Sequence, residues 1–356
     1  VNGMWLDAPV GPRSDRRVTV AGCRTALVLV PHVVAATRLM DVLDLIKTDR
    51  RIQVVCTVPD THGISYGTHE FLQRQGLLTL PWRQAGGLEF DLVLAASRRD
   101  LEHVLGPVLV LPHGAGALKS RRLTGHGLDR HELIRGGRVT AAALVLSHDD
   151  ELRVLERSCP EAVPHAVVAG DLCLDRLRAS LPHRAAYRAA LGIGPDETLV
   201  TLTSTWRPDS TFGSRPELYR TGDFRKAVVI HPTTWSVHGP WQVRAWLADD
   251  PDLIIIPPEE GWRAAVIASD RVIGDHGSVT QYAAAIGVPV ALATSAPVRP
   301  GSLADLVAGG ASDIAARLSS RPDQAAAILR ATMYRLLRLP EPAHPAHAEP
   351  VPVHHV

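Results

Sequence analysis

The chain has 356 residues, 46% of them hydrophobic, and a formal net charge of +1. That length favours two domains, with enough apolar sequence for a core in each. A charge so near zero excludes a general nucleic-acid binder, and four scattered cysteines without C-x-x-C spacing suggest neither a disulfide framework nor a zinc site.

The cysteine usage fits a reducing cytoplasm. No apolar run is long enough to span a bilayer, and residues 1–17 lack the apolar core of a secretory signal. The expectation is a cytoplasmic protein, with peripheral attachment at the inner membrane face left open. Only three of the 38 basic residues are lysine, and alanine is abundant, as in products of high-GC bacterial genes.

Residues 1–17 read as a loose arm. Ala26 to Val30 is a buried-type strand ended by Pro31-His32. Val34 to Ile46 is an amphipathic helix and Ile52 to Thr57 a second strand. Strand, helix, strand at this spacing predicts a parallel sheet with crossover helices. Phe71 to Gln75 reads as helix, Phe90 to Ala95 as strand, Leu101 to Leu105 as a short helix and Val108 to Leu111 as strand. Residues 121–139 are basic, Gly-rich and aperiodic, the pattern of a flexible segment. Ala142 to Ser147 is a strand, Asp149 to Glu156 a helix, and Ala166 to Ala169 a strand. Asp175 to Leu191 is helical, with a break before Pro182. GIGPD at Gly192 to Asp196 predicts the boundary between a domain over 18–193 and one over 194–338.

The second half restarts the alternation. Strands are predicted at Leu199 to Thr203, Ala227 to Ile230 and Leu253 to Ile256. Helices are predicted at Trp241 to Leu247, Gly261 to Ala268 and Gln324 to Leu337. Between them, Arg271 to Gly274 reads as a strand, Asp275 to Ser278 as a tight turn, Val279 to Ile286 as a helix, and Val290 onward as a strand. Residues 339–356, rich in Pro, Ala and His, are expected to be disordered. The predicted fold class is α/β: two Rossmann-like doubly wound domains facing a cleft, with ligands at the carboxyl edges of the sheets.

Those edges carry the candidate chemistry. His113 follows a strand in PHGAGALK. Gly114 and Gly116 permit close approach of a substrate, and Lys119 suits a phosphate. A histidine there suits a general base, because its ordinary pKa lies near neutrality; the plainer reading is a structural imidazole bonded to backbone. His231 ends another strand before Pro232. Ser204, Thr205 and Arg207 offer hydroxyls and a guanidinium suited to pyrophosphate. The turn before the 279–286 helix offers the amides of Gly277 and Ser278, where an anion is stabilised at a helix N-terminus. Asp275 is the carboxylate of this group, or a turn-forming residue. His276 is a further contact. No G-x-S-x-G elbow and no glycine fingerprint after the first strand are present.

Taken in order, these motifs resemble the CDP-glycerol glycerophosphotransferase family of wall teichoic acid polymerases and primases. HGAGALK (113–119) resembles that family's H-G-T-P-L-K, and AGDLCLD (169–175) its G-x-P-R-x-D. TSTWRPD (203–209) resembles P-T-W-R-D, IHP (230–232) the strand-ending H-P, and the run from Ser269 to Val290 its A-D-x-x-I-T-D-Y-S-S segment. The resemblance spans most of 105–292. It implies the two-domain glycosyltransferase-B architecture and transfer of glycerol phosphate from CDP-glycerol to an acceptor hydroxyl, with release of CMP. It implies His113 as base on the acceptor and His231 on the donor phosphate. It also implies Thr205, Arg207, Gly277 and Ser278 as donor-binding residues. The chain departs from the family pattern at Ala115-Gly116-Ala117, at Leu172-Cys173 and at Gly277, and Gln281-Tyr282 occupies the region of the family's aspartate.

Two alternatives stay open: a UDP-sugar glycosyltransferase or 2-epimerase-like enzyme, and a non-catalytic relative that binds a nucleotide or a partner. No cofactor is expected beyond the nucleotide-activated donor, which is a substrate. The acceptor is expected to carry a free hydroxyl, and a membrane-borne acceptor is compatible.

Overall fold

The structure is a computed structural model describing residues 5–12, 14, 17–60, 67–115, 127–220, 224–293 and 303–353. It divides into two compact units. Unit 1 comprises 1–172 and 319–347, and unit 2 comprises 173–318 and 348–356.

Unit 1 is built on β1 (Arg24–Leu29), β2 (Ile52–Thr57), β3 (Thr79–Leu80), β4 (Leu92–Ala95) and β5 (Val108–Val110), followed by a small antiparallel hairpin, β6 (Ile134–Arg135) and β7 (Arg138–Val139). It continues with β8 (Ala143–Leu146) and β9 (Ala166–Val168). Seven strands pair in the order β3-β2-β1-β4-β5-β8-β9, all parallel. Leu27, Leu29, Val93 and Leu144 are at most 1% exposed. Strands covered on both faces in this way read as continuous apolar runs, which is why they were visible in the sequence. Truncating Leu29 to alanine would cost about 2–5 kcal/mol.

Unit 2 repeats the plan with β10 (Leu199–Ser204), β11 (Arg225–Ile230), β12 (Ile254–Ile255), β13 (Arg271–Gly274) and β14 (Val290–Leu292). Their order is β12-β11-β10-β13-β14, again all parallel. The neighbouring strands β10 and β11 place Val200, Leu202, Val228 and Ile230 in one apolar cluster with Trp235. Each sheet is thus Rossmann-like, with the doubly wound strand order expected.

Several boundaries differ from the sequence reading. The helical region before Gly192 falls in unit 2 rather than in the first domain. It comprises a helix Leu172–Ser180, a 3-10 turn Leu181–His183 and a helix Arg184–Ala190. The cause is visible in two arginines. Arg184 donates to the carbonyls of Ile267, Ala268 and Ser269, and Arg188 to those of Ala268, Gly194 and Glu197. Both also meet Asp270, at 2.7 and 3.0 Å. The helix Asp149–Ser158 runs two residues past the expected Glu156 and is capped by His148. His148 Nδ1 accepts the Asp150 N–H at 3.0 Å. Part of the aperiodic segment 121–139 is ordered, as the helix Arg130–Leu133 and the β6–β7 hairpin. Residues 340–353 are also held in place. Arg330 donates to His344 O, Arg176 to Glu349 O, and the Tyr187 hydroxyl to Val351 O at 2.6 Å. A proline-rich strand of chain has few N–H donors, so buried side chains serve its carbonyls instead.

Candidate functional site

In unit 1, β5 delivers the chain to His113, which is exposed. Its Nδ1 lies 2.9 Å from Ala96 O, at the end of neighbouring β4. A carbonyl only accepts, so Nδ1 carries the proton and Nε2 is the basic nitrogen of the neutral ring. Gly114 adopts φ +133°, a backbone state open to glycine and strained for other residues. Lys119 lies outside the described residues.

Beside His113 stands His32, with ring centroids 5.7 Å apart and edges meeting faces. His32 ends the run from β1 and caps the helix Val33–Leu43, its Nδ1 accepting the Ala35 N–H at 3.1 Å. Its neutral form therefore carries the proton on Nε2. The ends of β1 and β5, on either side of β4, thus present one imidazole with a basic Nε2 and another with an Nε2–H donor. Sequence reasoning treated His32 only as the end of a strand. The Pro31-His32 pair after an apolar run was the available signal, of the same kind as Ile230-His231-Pro232.

In unit 2 the candidate residues gather at the carboxyl ends of β10, β11 and β13, which are neighbours in the sheet. Asp275 organises them. It is 0% exposed, and its Oδ2 accepts the Thr205 N–H at 2.8 Å, the Thr205 hydroxyl at 2.9 Å and the Thr211 N–H at 3.1 Å. Its Oδ1 accepts the Gly277 N–H at 3.0 Å. Asp275 is therefore a buried tie between two strand-end loops rather than a carboxylate presented to substrate. The Gly277 amide, expected to meet an anion, is engaged by Asp275.

The hydroxyls of the first loop are engaged as well. Ser204 Oγ donates to Thr205 O and accepts the Phe212 N–H, both at 2.9 Å. Arg207 is exposed, and no hydrogen bond to its guanidinium is present among the described residues. Ser278 opens the helix Ser278–Ala285 and is half-buried, and His276 is exposed. Gln281 is 5% exposed. Its Nε2 donates to His276 O at 3.0 Å, while Oε1 has no partner among the described residues. A carbonyl requires the amide N–H to face it, so the unmatched atom is fixed as the oxygen. Gly274 is required sterically: a Cβ there would collide with Thr203 Oγ1, which shares a 2.8 Å hydrogen bond with Thr280.

His231 is half-buried at the end of β11. Its backbone N–H donates to Ser204 O at 3.0 Å, tying β11 to β10. Its Nδ1 accepts the Thr233 N–H at 3.1 Å, so the neutral ring holds its proton on Nε2, the opposite of His113. The Trp206 ring lies 4.4 Å from the His231 ring and is 48% exposed. His238 packs against Trp246 at 4.9 Å and belongs to a separate aromatic cluster. Among the described residues, no three His, Cys, Asp or Glu side chains gather as a metal-binding group. No described helix is long and apolar enough to cross a membrane.

No family model matches the sequence, and no curated protein is similar to it in sequence. Solved structures are similar in fold. The wall teichoic acid polymerase TagF, as an H444N variant soaked with CDPG, superposes with a TM-score of 0.53 at 10% identity, over 88% of each chain. TagF itself gives a TM-score of 0.52 at 11% identity, again over 88% of each chain. The fold is of the glycosyltransferase-B type. Anabaena HepE, in complex with UDP and glucose, matches at a TM-score of 0.47 and 13% identity, covering 89% of this chain and 100% of its own.

Proposed function

We propose that the chain is a transferase that moves a group from a nucleotide-activated donor to an acceptor hydroxyl, with CDP-glycerol the favoured donor. Unit 1 serves the acceptor and unit 2 the donor. The observation that carries this reading is the opposed tautomers of the two strand-end histidines. His113, with its proton on Nδ1, offers Nε2 as base to the acceptor O–H. His231, with Nδ1 engaged by Thr233, offers Nε2–H to a donor phosphate oxygen.

In the transfer step, the acceptor oxygen forms a bond to phosphorus as its proton passes to His113 Nε2. The bond from that phosphorus to the bridging oxygen of the pyrophosphate breaks, and the nucleoside monophosphate leaves with the electron pair. His231, Arg207 and the amides at the start of the helix Ser278–Ala285 stabilise the developing charge. Asp275 touches no reactant: it holds the Thr205 and Gly277 loops at the same strand ends. Support also comes from the fold shared with TagF and from the order of the sequence motifs. Gln281, in the region of the family's aspartate, makes donor identity the property to test.

A thermal-shift panel of CMP, CDP, CDP-glycerol, UDP, UDP-sugars, GDP and ADP tests the reading. A ligand at about 100 times its dissociation constant stabilises by about 2.7 kcal/mol. A cytidine-selective shift is expected. A uridine-selective shift would replace CDP-glycerol with a sugar nucleotide, and silence across the panel would remove the transferase reading.

A further inference from the structure

Arg98 follows the carboxyl end of β4 by three residues and is half-buried. Its Nε is buried without a hydrogen-bond partner, and no bond to its other N–H groups is present among the described residues. The guanidinium lies against the Gly127 backbone, where a Cβ would come within 2.6 Å of Nη1. Burial is the main influence on its pKa and lowers it, while Glu132 and Glu151 act on it only through space. Glu151 is already committed: its Oε2 accepts the N–H groups of Ser147 and His148. Arginine stays charged regardless, so its N–H donors sit partly desolvated without an acceptor among the described residues.

Other enclosed arginines of this molecule are treated differently. Arg188 bonds three backbone carbonyls and Asp270, Arg263 pairs with Glu260, and Arg330 pairs with Glu341 and His344 O. Each of those acts as a structural tie. Arg98 makes no such tie among the described residues, yet stands where ligands of such sheets bind. The turn that carries it also carries Ala96, whose carbonyl fixes His113, and His32 stands on the adjoining strand end. A charge left uncompensated at such a place costs stability, and an oxyanion would satisfy its planar fork of donors.

We propose that Arg98 is a phosphate-binding residue of unit 1, holding a phosphate group carried by the acceptor next to the hydroxyl that His113 deprotonates. The phosphate site stands on Arg98 itself. Its assignment to the acceptor rests on the transferase reading above.

The test is thermal unfolding of the full chain titrated with inorganic phosphate, and with acetate at matched ionic strength. Wild type, Arg98→Met and Arg98→Lys are compared, and the nucleotide panel is run on the same plates. Phosphate should stabilise the wild type. Its apparent affinity should fall about tenfold or more in Arg98→Met, and nearly as far in Arg98→Lys, which keeps the charge but loses the fork. Without phosphate, Arg98→Met should unfold no earlier than the wild type, since the deleted guanidinium makes no hydrogen bond among the described residues. Superimposable phosphate curves for wild type and both variants would overturn the site. So would a response to acetate without one to phosphate. A destabilised Arg98→Met, together with an Arg98→Lys that responds to phosphate as the wild type does, would make Arg98 structural. If nucleotides give no response while the Arg98-dependent phosphate response persists, the transferase reading fails and the phosphate site stands.

Discussion

The carboxyl edges of the two sheets share a plan and differ in how their polar groups are engaged. In unit 2 the buried Asp275 carboxylate accepts four hydrogen bonds and binds the loops after β10 and β13 into one rigid piece. In unit 1 the buried Glu151 carboxylate accepts two N–H groups of its own loop after β8. His113 Nδ1 meets the Ala96 carbonyl, and Arg98 Nε has no partner among the described residues. The difference teaches that strand-end residues of one type are set in opposite hydrogen-bonding states. A histidine whose Nδ1 meets a carbonyl leaves a basic Nε2, whereas one whose Nδ1 caps a helix leaves an Nε2–H donor. A preassembled edge suits a ligand of fixed shape such as a pyrophosphate, and an edge with open donors suits a second substrate.

The sharpest way to break the comparison is at the histidines. His113→Ala should lower turnover about 10²–10⁴-fold with nucleotide binding unchanged, as read by a transfer assay beside a thermal shift. His231→Ala should weaken nucleotide binding itself. Equal effects of the two variants on nucleotide affinity would end the division of roles. Next in size is Asp275→Asn, which turns an N–H toward groups that are themselves donors. A loss of about 3 kcal/mol or more is expected in urea unfolding. An unchanged midpoint would mean that the loops do not depend on Asp275. Arg207→Ala should cost about 1–3 kcal/mol of nucleotide affinity, read by calorimetry, without altering stability.

The smallest effect is expected at the amino edge of the unit 1 sheet, which serves as a control. There Arg51 holds the Asp49 carboxyl well below its usual range, helped by the Tyr334 hydroxyl at 2.7 Å. Because the folded pKa is depressed, this stabilisation is complete above about pH 4 and is lost as the pH falls further. Asp49→Asn should flatten the fall in melting temperature between pH 5 and pH 3, and leave nucleotide binding alone. A wild type whose melting temperature does not fall over that interval would contradict it. Burial and the Asp49 contact push the Tyr334 phenol up to about 12. Its contribution is accordingly complete below about pH 10 and disappears as the pH rises toward 12.

Much of the fold was legible because parallel strands buried on both faces leave apolar runs. Arg271–Gly274 was bounded correctly, and the helix after it was displaced by one residue. The break before Pro182 was readable from the ring's missing N–H. Two-residue β3 carried too little pattern to be seen. The placement of Arg184–Ala190 in unit 2 depends on arginine contacts with residues some 80 positions away, which no local pattern encodes. At the candidate site, the residue types were visible and their states were not. Nothing in the letters of His113 and His231 distinguishes their tautomers, because a carbonyl from β4 decides one and a helix N–H the other. The same holds for Asp275, whose burial depends on Thr205 and Thr211 folding over it. Arg98 sat unremarked in a Ser-Arg-Arg-Asp run because unmatched donors appear only in three dimensions.

The pinned chain at 340–353 bears on how this protein is handled at the bench. Its composition invites an expression engineer to trim it. Yet Val351 is 3% exposed, its N–H donates to Ser180 Oγ, and its carbonyl receives the Tyr187 hydroxyl. A shortened clone would uncover that valine's pocket and strand the phenol of a wholly enclosed tyrosine.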